Sequence, residues 1–168
     1  MPEPSQHPQH PQSPAATSAP ASPPPSAETS ADASFAPAAD PYDAGMAVRR
    51  EVLSDAHVDR AEARKDEFTS DFQAMITRYA WGTIWTRPGL PRTTRSAITL
   101  TAMIAGGYWE ELEMHVRAAL RNGMTPEEIK EVFLQCAIYC SVPAANVAFS
   151  IGQRVLREEL GEDWAAKG

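Results

Sequence analysis

Thr125-Pro126-Glu127-Glu128-Ile129-Lys130-Glu131-Val132-Phe133-Leu134-Gln135-Cys136-Ala137-Ile138-Tyr139-Cys140 is the strongest local signal in the chain. Thr125 is suited to an N-cap. Pro126 fits the first helical position, where its missing N–H has no intrahelical partner to lose, and Glu128 closes a capping box back onto Thr125. Behind this start Ile129, Val132, Phe133, Cys136, Ala137 and Cys140 recur every three or four residues and mark one buried face. A capped amphipathic helix must pack on something, so its neighbours decide the class.

They carry the same period. Pro143 opens a last helix with Val147, Ile151, Val155 and Leu156 at helical spacing, and Gly161 follows its end. On the other side, a helix opening at residue 109 and closing at Asn122-Gly123 has Leu112, Val116, Ala119 and Leu120 as its apolar stripe. Before it, Thr93 or Thr94 caps a helix over about residues 95–105, ended by Gly106-Gly107. Its Ile98, Leu100, Met103 and Ile104 are apolar nearly all round, which predicts a central place in a bundle. Arg87-Pro88-Gly89-Leu90-Pro91 is a breaker cluster. Upstream, Thr69 or Ser70 caps a helix with Phe72, Ile76, Tyr79 and Ala80 running toward Trp85, and Ser54-Asp55 starts another that reaches about Lys65. Residues 46–53 are too short to classify. No segment alternates as a strand. The class is all-α, a compact array of about six helices.

Composition separates two regions. Of the 168 residues, 1–40 hold ten of the fifteen prolines, no Lys or Arg, and long Ala, Ser and Pro runs. Such a stretch cannot bury enough apolar surface to offset its ordering entropy, so it is expected to be a disordered tail ahead of one domain at 41–168. It lacks the basic start and unbroken apolar run of a signal peptide. The body has 18 acidic against 15 basic side chains, without the clustered basic excess of a nucleic-acid binder. No apolar run reaches the roughly 18 residues of a membrane span, so a soluble protein is expected. Cys136 and Cys140 lie four apart on one helix face, badly aimed for a disulfide and outside any metal-ligand spacing. They read as small buried hydrophobes in a reducing compartment, the cytoplasm.

Two candidate chemistries stand out. His115 is one of only two histidines outside the tail, and Glu111 lies four residues before it, one turn away on the same helix face. A carboxylate there can fix the ring's tautomer and raise its basicity, giving a proton-handling pair, although this spacing also describes an ordinary solvated pair. The breaker loop carries Arg87 beside Trp85, where a guanidinium can receive a carboxylate.

Several stretches together resemble the carboxymuconolactone decarboxylase family. They include Val48-Arg49-Arg50-Glu51-Val52-Leu53, Asp55-Ala56-His57-Val58-Asp59-Arg60-Ala61, Ile76-Thr77-Arg78-Tyr79-Ala80-Trp81-Gly82 and Ile84-Trp85-Thr86-Arg87-Pro88-Gly89-Leu90. Further on come Thr94-Arg95-Ser96, Glu110-Glu111-Leu112, Met114-His115-Val116-Arg117-Ala118-Ala119, Arg121-Asn122-Gly123, the stretch from Thr125 quoted above, and Val142-Pro143-Ala144-Ala145-Asn146. The likeness covers nearly all of the body and none of the tail. It implies an alkylhydroperoxidase-like all-α fold, a cofactor-free and metal-free carboxy-lyase, and a symmetric homo-oligomer, a trimer or hexamer. Peroxidase-like relatives carry Cys-x-x-Cys-x-x-x-His. Here Tyr108 and Glu111 stand at the two cysteine positions, so that nucleophile is missing.

The implied reaction takes CO2 from a γ-carboxylated butenolide, a lactone dicarboxylate, to leave β-ketoadipate enol-lactone in protocatechuate breakdown. On that implication His115 donates the proton, Glu111 orients and charges it, and Arg87 and Arg95 anchor carboxylates by bidentate pairing. Trp85 and Tyr139 wall the pocket, with Trp81 beside them. Two rivals remain: a thiol-dependent redox protein using Cys136 and Cys140, and a non-enzymatic helical oligomerisation module.

Overall fold

The structure is a computed structural model that describes residues 40–162 and Trp164. The expected tail, residues 1–40, lies outside the described residues except for Asp40. Seven α-helices and one π-helical segment are present, and no strand occurs among the described residues. The all-α class therefore holds, with one helix more than the expected six. The extra helix is α1 (Tyr42–Leu53), over the stretch the sequence left unclassified. Its periodicity was obscured because Gly45 and Arg49, rather than apolar residues, fill part of its buried face.

Helix α2 (Asp55–Ala63) begins as expected, with Ser54 Oγ accepting from the His57 N–H. Ser54 itself is at φ 83°, ψ 152°, a region L residues rarely adopt. Helix α3 (Glu67–Ile76) starts earlier than expected. Asp66 is the cap, and Thr69 is the third-position partner of its capping box. α3 then continues as the π-helix Thr77–Trp85. The wider turn changes which residues point inward, so Tyr79 is exposed while Thr77 and Trp81 are buried. Phe72 is exposed with the rest of α3, which buries no residue in the single chain.

The remaining helices are α4 (Arg92–Gly106), α5 (Trp109–Arg121), α6 (Pro126–Tyr139) and α7 (Val142–Leu160). Pro91, not Thr93 or Thr94, precedes α4, and left-handed Gly107 ends it. Helix α4 is not apolar-packed all round: Leu100 and Ile104 are buried, but Ile98 is more than half exposed. The capping box at Thr125 and Glu128 is present as read, with both reciprocal bonds formed. Its loss by Thr125→Ala is worth about 1 kcal/mol.

Two apolar clusters organise these helices. The larger joins Leu100 and Ile104 of α4, Leu112, Val116 and Ala119 of α5, Ile129, Phe133 and Cys136 of α6, and Ala148 and Val155 of α7. The smaller joins Val52 and Leu53 of α1, Val58 of α2, Trp81 of the π-helix and Ala118 of α5. Only α5 contributes buried residues to both. Around the smaller cluster, α1 lies so close to the π-helix that Cβ atoms on Gly45 and Gly82 would run into backbone atoms of Thr77 and Pro41. Buried Arg49 ties the same elements together. Its guanidinium donates to Thr77 Oγ1 (3.3 Å) and Gln73 Oε1 (2.9 Å) and lies 3.7 Å from Glu62 of α2. Asp40 also belongs with the body, forming a forked pair with Arg78 of the π-helix.

Candidate functional site

The double role of α5 sets the position of His115. It precedes Ala118 by three residues and Ala119 by four, so it falls on the helix face between the side turned to the smaller cluster and the side turned to the larger. The ring is partly buried in that seam. Burial, which disfavours the imidazolium, lowers the His115 pKa from 6.5 to about 4; Glu111 pushes it up and His57 pushes it further down.

The expected Glu111–His115 contact is not formed: neither a hydrogen bond nor an ion pair joins them, and Glu111 is exposed. The ring is drawn inward while the carboxylate stays in water. Glu111 therefore acts on His115 only through space, and desolvation outweighs it. At neutral pH the imidazole of the unliganded chain is uncharged, opposite to the charged pair expected from the spacing.

The other expected site residues are brought together only in part. Trp85 is partly buried with its ring centroid 5.2 Å from that of Trp81. Arg87 is exposed on its loop, and its carbonyl accepts a hydrogen bond from the Arg95 guanidinium at 2.9 Å, so the two arginines are neighbours. Arg95 Nε is buried without an acceptor among the described residues, an unusual condition for a charged donor. Tyr139 is 79% exposed at the end of α6, away from any wall of a pocket in the single chain. None of the five principal cavities is lined by His115, Glu111, Arg87, Arg95, Trp85 or Tyr139.

Sequence reasoning passed over a polar cavity of about 490 Å3 where the start of α2 meets the outer side of α5. His57, Arg60, Arg117 and Arg121 line it. The signal was present: His57 and Arg60 flank the core residue Val58 and, three apart on a nine-residue helix, share its edge. Burial and the nearby Arg60, Arg49, Arg121 and Arg64 hold the His57 pKa below its ordinary value.

Cys136 is buried and Cys140 partly so, and both are free thiols. Burial pushes the Cys136 thiol up, away from the thiolate that redox chemistry needs. Among the described residues, no group of three His, Cys, Asp or Glu side chains is placed to hold a metal ion. Nor is any described helix long and apolar enough to cross a membrane.

Residues 70–154 match the model of the carboxymuconolactone decarboxylase family. Over 117 residues, 70% of this chain, it is 44% identical to 4-carboxymuconolactone decarboxylase of Acinetobacter baylyi, covering 87% of that protein. Over a stretch of the same length it is 40% identical to nitrosuccinic acid decarboxylase of Metarhizium robertsii, covering 82% of it. A 41-residue stretch is 61% identical to 4-carboxymuconolactone decarboxylase of Pseudomonas putida, covering 85% of that sequence.

Proposed function

This chain belongs to the carboxymuconolactone decarboxylase family and is a decarboxylase, and we propose that it converts 4-carboxymuconolactone to β-ketoadipate enol-lactone and CO2 in protocatechuate breakdown. The observation that carries the reading is the 44% identity to a relative of that name across most of its length. The seat of His115 in the seam of α5 supports it, because a partly desolvated imidazole is suited to proton transfer. The thiol-dependent rival is disfavoured by the raised pKa of buried Cys136.

The chemistry asks little of a cofactor. When CO2 leaves the γ carbon, the electron pair runs through the ring double bond into the lactone carbonyl, so the substrate is its own electron sink. The protein must hold an anionic ligand, stabilise the growing charge on the lactone oxygen and deliver one proton to the α carbon. His115 is the proton donor in this reading. It is neutral in the empty chain, and a bound dicarboxylate, as an opposite charge, raises its pKa so that the imidazolium forms with the substrate in place. Glu111 assists from a distance. Arg95, whose Nε has no acceptor among the described residues, and its neighbour Arg87 anchor a carboxylate beside Trp85.

Tyr139 enters this scheme across a subunit boundary. It is exposed with Ile138 and Val142 at the α6–α7 corner, and Phe68, Phe72 and Tyr79 form a second exposed apolar set. Sets of this kind support a symmetric homo-oligomer, a trimer or hexamer, in the cytoplasm, with Tyr139 walling a neighbour's pocket. The catalytic unit is the body from Asp40 onward.

A second substrate is favoured by the 40% identity to nitrosuccinic acid decarboxylase. Nitrosuccinic acid is also an acid with a built-in electron sink, its nitro group, and the same donor and anchors serve it. CO2 release measured with each compound as sole substrate decides between them. No CO2 from 4-carboxymuconolactone, by a folded protein, ends the first reading.

A further inference from the structure

Three arginines and three glutamates line the cavity between α2 and α5, but the pairing is uneven and leaves two of the arginines outside any ion pair. Of its cations, Arg117 is taken: it pairs with Glu113 at 2.9 Å and Glu159 at 3.1 Å, and also with Glu158 of α7. Glu113 is further engaged by Arg154 at 2.7 Å, and the two arginines hold its carboxyl down to about 2. Among the described residues, Arg60 and Arg121 have no acidic side chain within ion-pair distance. Glu110 is the one lining carboxylate without an ion-pair partner, and it is exposed.

Arg121 is also fixed in place. Its Nε donates to the Val52 carbonyl and its NH2 to the Leu53 carbonyl, each at 3.1 Å, so the fork is held against the end of α1. A guanidinium anchored through two of its five N–H groups retains donors for a ligand and loses little further freedom on binding. His57 lines the same cavity; burial first, and then the nearby arginines, lower its pKa and so favour the neutral ring, which still has one N–H to donate.

We propose that this cavity is a carboxylate-binding site, in which Arg121 and Arg60 grip the carboxymethyl arm of the substrate and His57 donates a further hydrogen bond. It rests on the decarboxylase reading for the identity of the arm, though not for the preference for small dicarboxylates. The departing carboxylate and the arm then have separate anchors, Arg95 with Arg87 for one and Arg121 with Arg60 for the other. That division suits catalysis, because tight binding belongs on the group that stays. Met114, the residue before His115 on α5, lines the cavity, and His57 acts through space on His115.

The test uses adipate, an unreactive dicarboxylate, in titration calorimetry at fixed ionic strength, together with steady-state decarboxylation by the full-length protein. Arg60 is exposed and its side chain makes no hydrogen bond, so Arg60→Gln should fold normally. Arg60→Gln is expected to weaken adipate binding about 10-fold and raise KM by a similar factor with kcat nearly unchanged, since an arm contact is made equally in ground and transition states. Arg60→Lys should recover part of the loss. Arg121→Gln should show the larger effect if it folds. Unchanged adipate affinity in Arg60→Gln, or a fall in kcat at constant KM, overturns the proposal. Adipate binding that depends on Arg60 in a protein releasing no CO2 would instead sustain the site and end the decarboxylase reading.

Discussion

Acid should destabilise the folded chain through His115 by an amount the structure sets. In the unfolded chain the imidazole has its ordinary pKa of 6.5, and in the fold burial lowers it to about 4. Between those values the unfolded state binds more protons, so folding stability falls as pH falls. Above pH 6.5 the ring is neutral in both states and costs nothing. At pH 4 the linkage amounts to about 3 kcal/mol, a large part of a typical domain's 5–15 kcal/mol. The comparison is between wild type and His115→Gln, whose amide does not titrate, by urea unfolding at pH 7 and pH 4 and at one protein concentration. His57, also lowered, contributes to both proteins and cancels. Wild type should lose about 3 kcal/mol more than the variant over this range. Parallel losses, within about 0.5 kcal/mol, would show that the ring is not desolvated, and the seam position would lose its chemical meaning.

His115→Ala should lower kcat by about 10² or more while leaving the helical circular dichroism and the oligomer size intact, as read by sedimentation. Glu111→Gln should cost less activity and move the alkaline limb of the pH profile to lower pH, because the one nearby group that raises the pKa of the proton donor His115 is gone. Gly82→Ala should lower the melting temperature, with a loss of about 1–3 kcal/mol, since its Cβ meets the Pro41 backbone. Deleting residues 1–38 should leave CO2 release unchanged. Extending the deletion through Pro41 should lower the melting temperature, because the Asp40–Arg78 pair and the Pro41 contact with Gly82 go with it.

Helix starts were legible where a side chain announces them. Thr125 with Glu128, and Ser54 before Asp55, were read correctly because a cap is a local bond between neighbours. Asp66 was missed because Thr69, the other half of the same box, looks equally like a cap. The face of Tyr79 was misread because a 3.6-residue period was applied across a segment that becomes π-helical, and nothing in its composition marks the change; Phe72 was misread because α3 buries none of its residues in the single chain. The site divides in the same way. His115 could be chosen from its rarity and its place on α5. Its charge state could not, because that depends on how two apolar clusters close around it, a long-range property that helical spacing with Glu111 does not contain. Arg121 was hidden for a similar reason: its anchors are carbonyls about seventy residues away.

The π-helix bears on how this chain tolerates length changes. A π-turn holds about one residue more than an α-turn, so the segment Thr77–Trp85 behaves as a stored insertion. Losing one residue there need not break the helix, because the backbone can relax to the tighter spiral and improve its hydrogen bonding. Because the tighter spiral turns further per residue, the segments downstream would keep nearly their direction, with Trp85 still near Trp81 and the Arg87 loop near Arg95. A library of single-residue deletions across 77–85 should therefore keep helical content and catalysis more often than single-residue deletions within the regular helix α5.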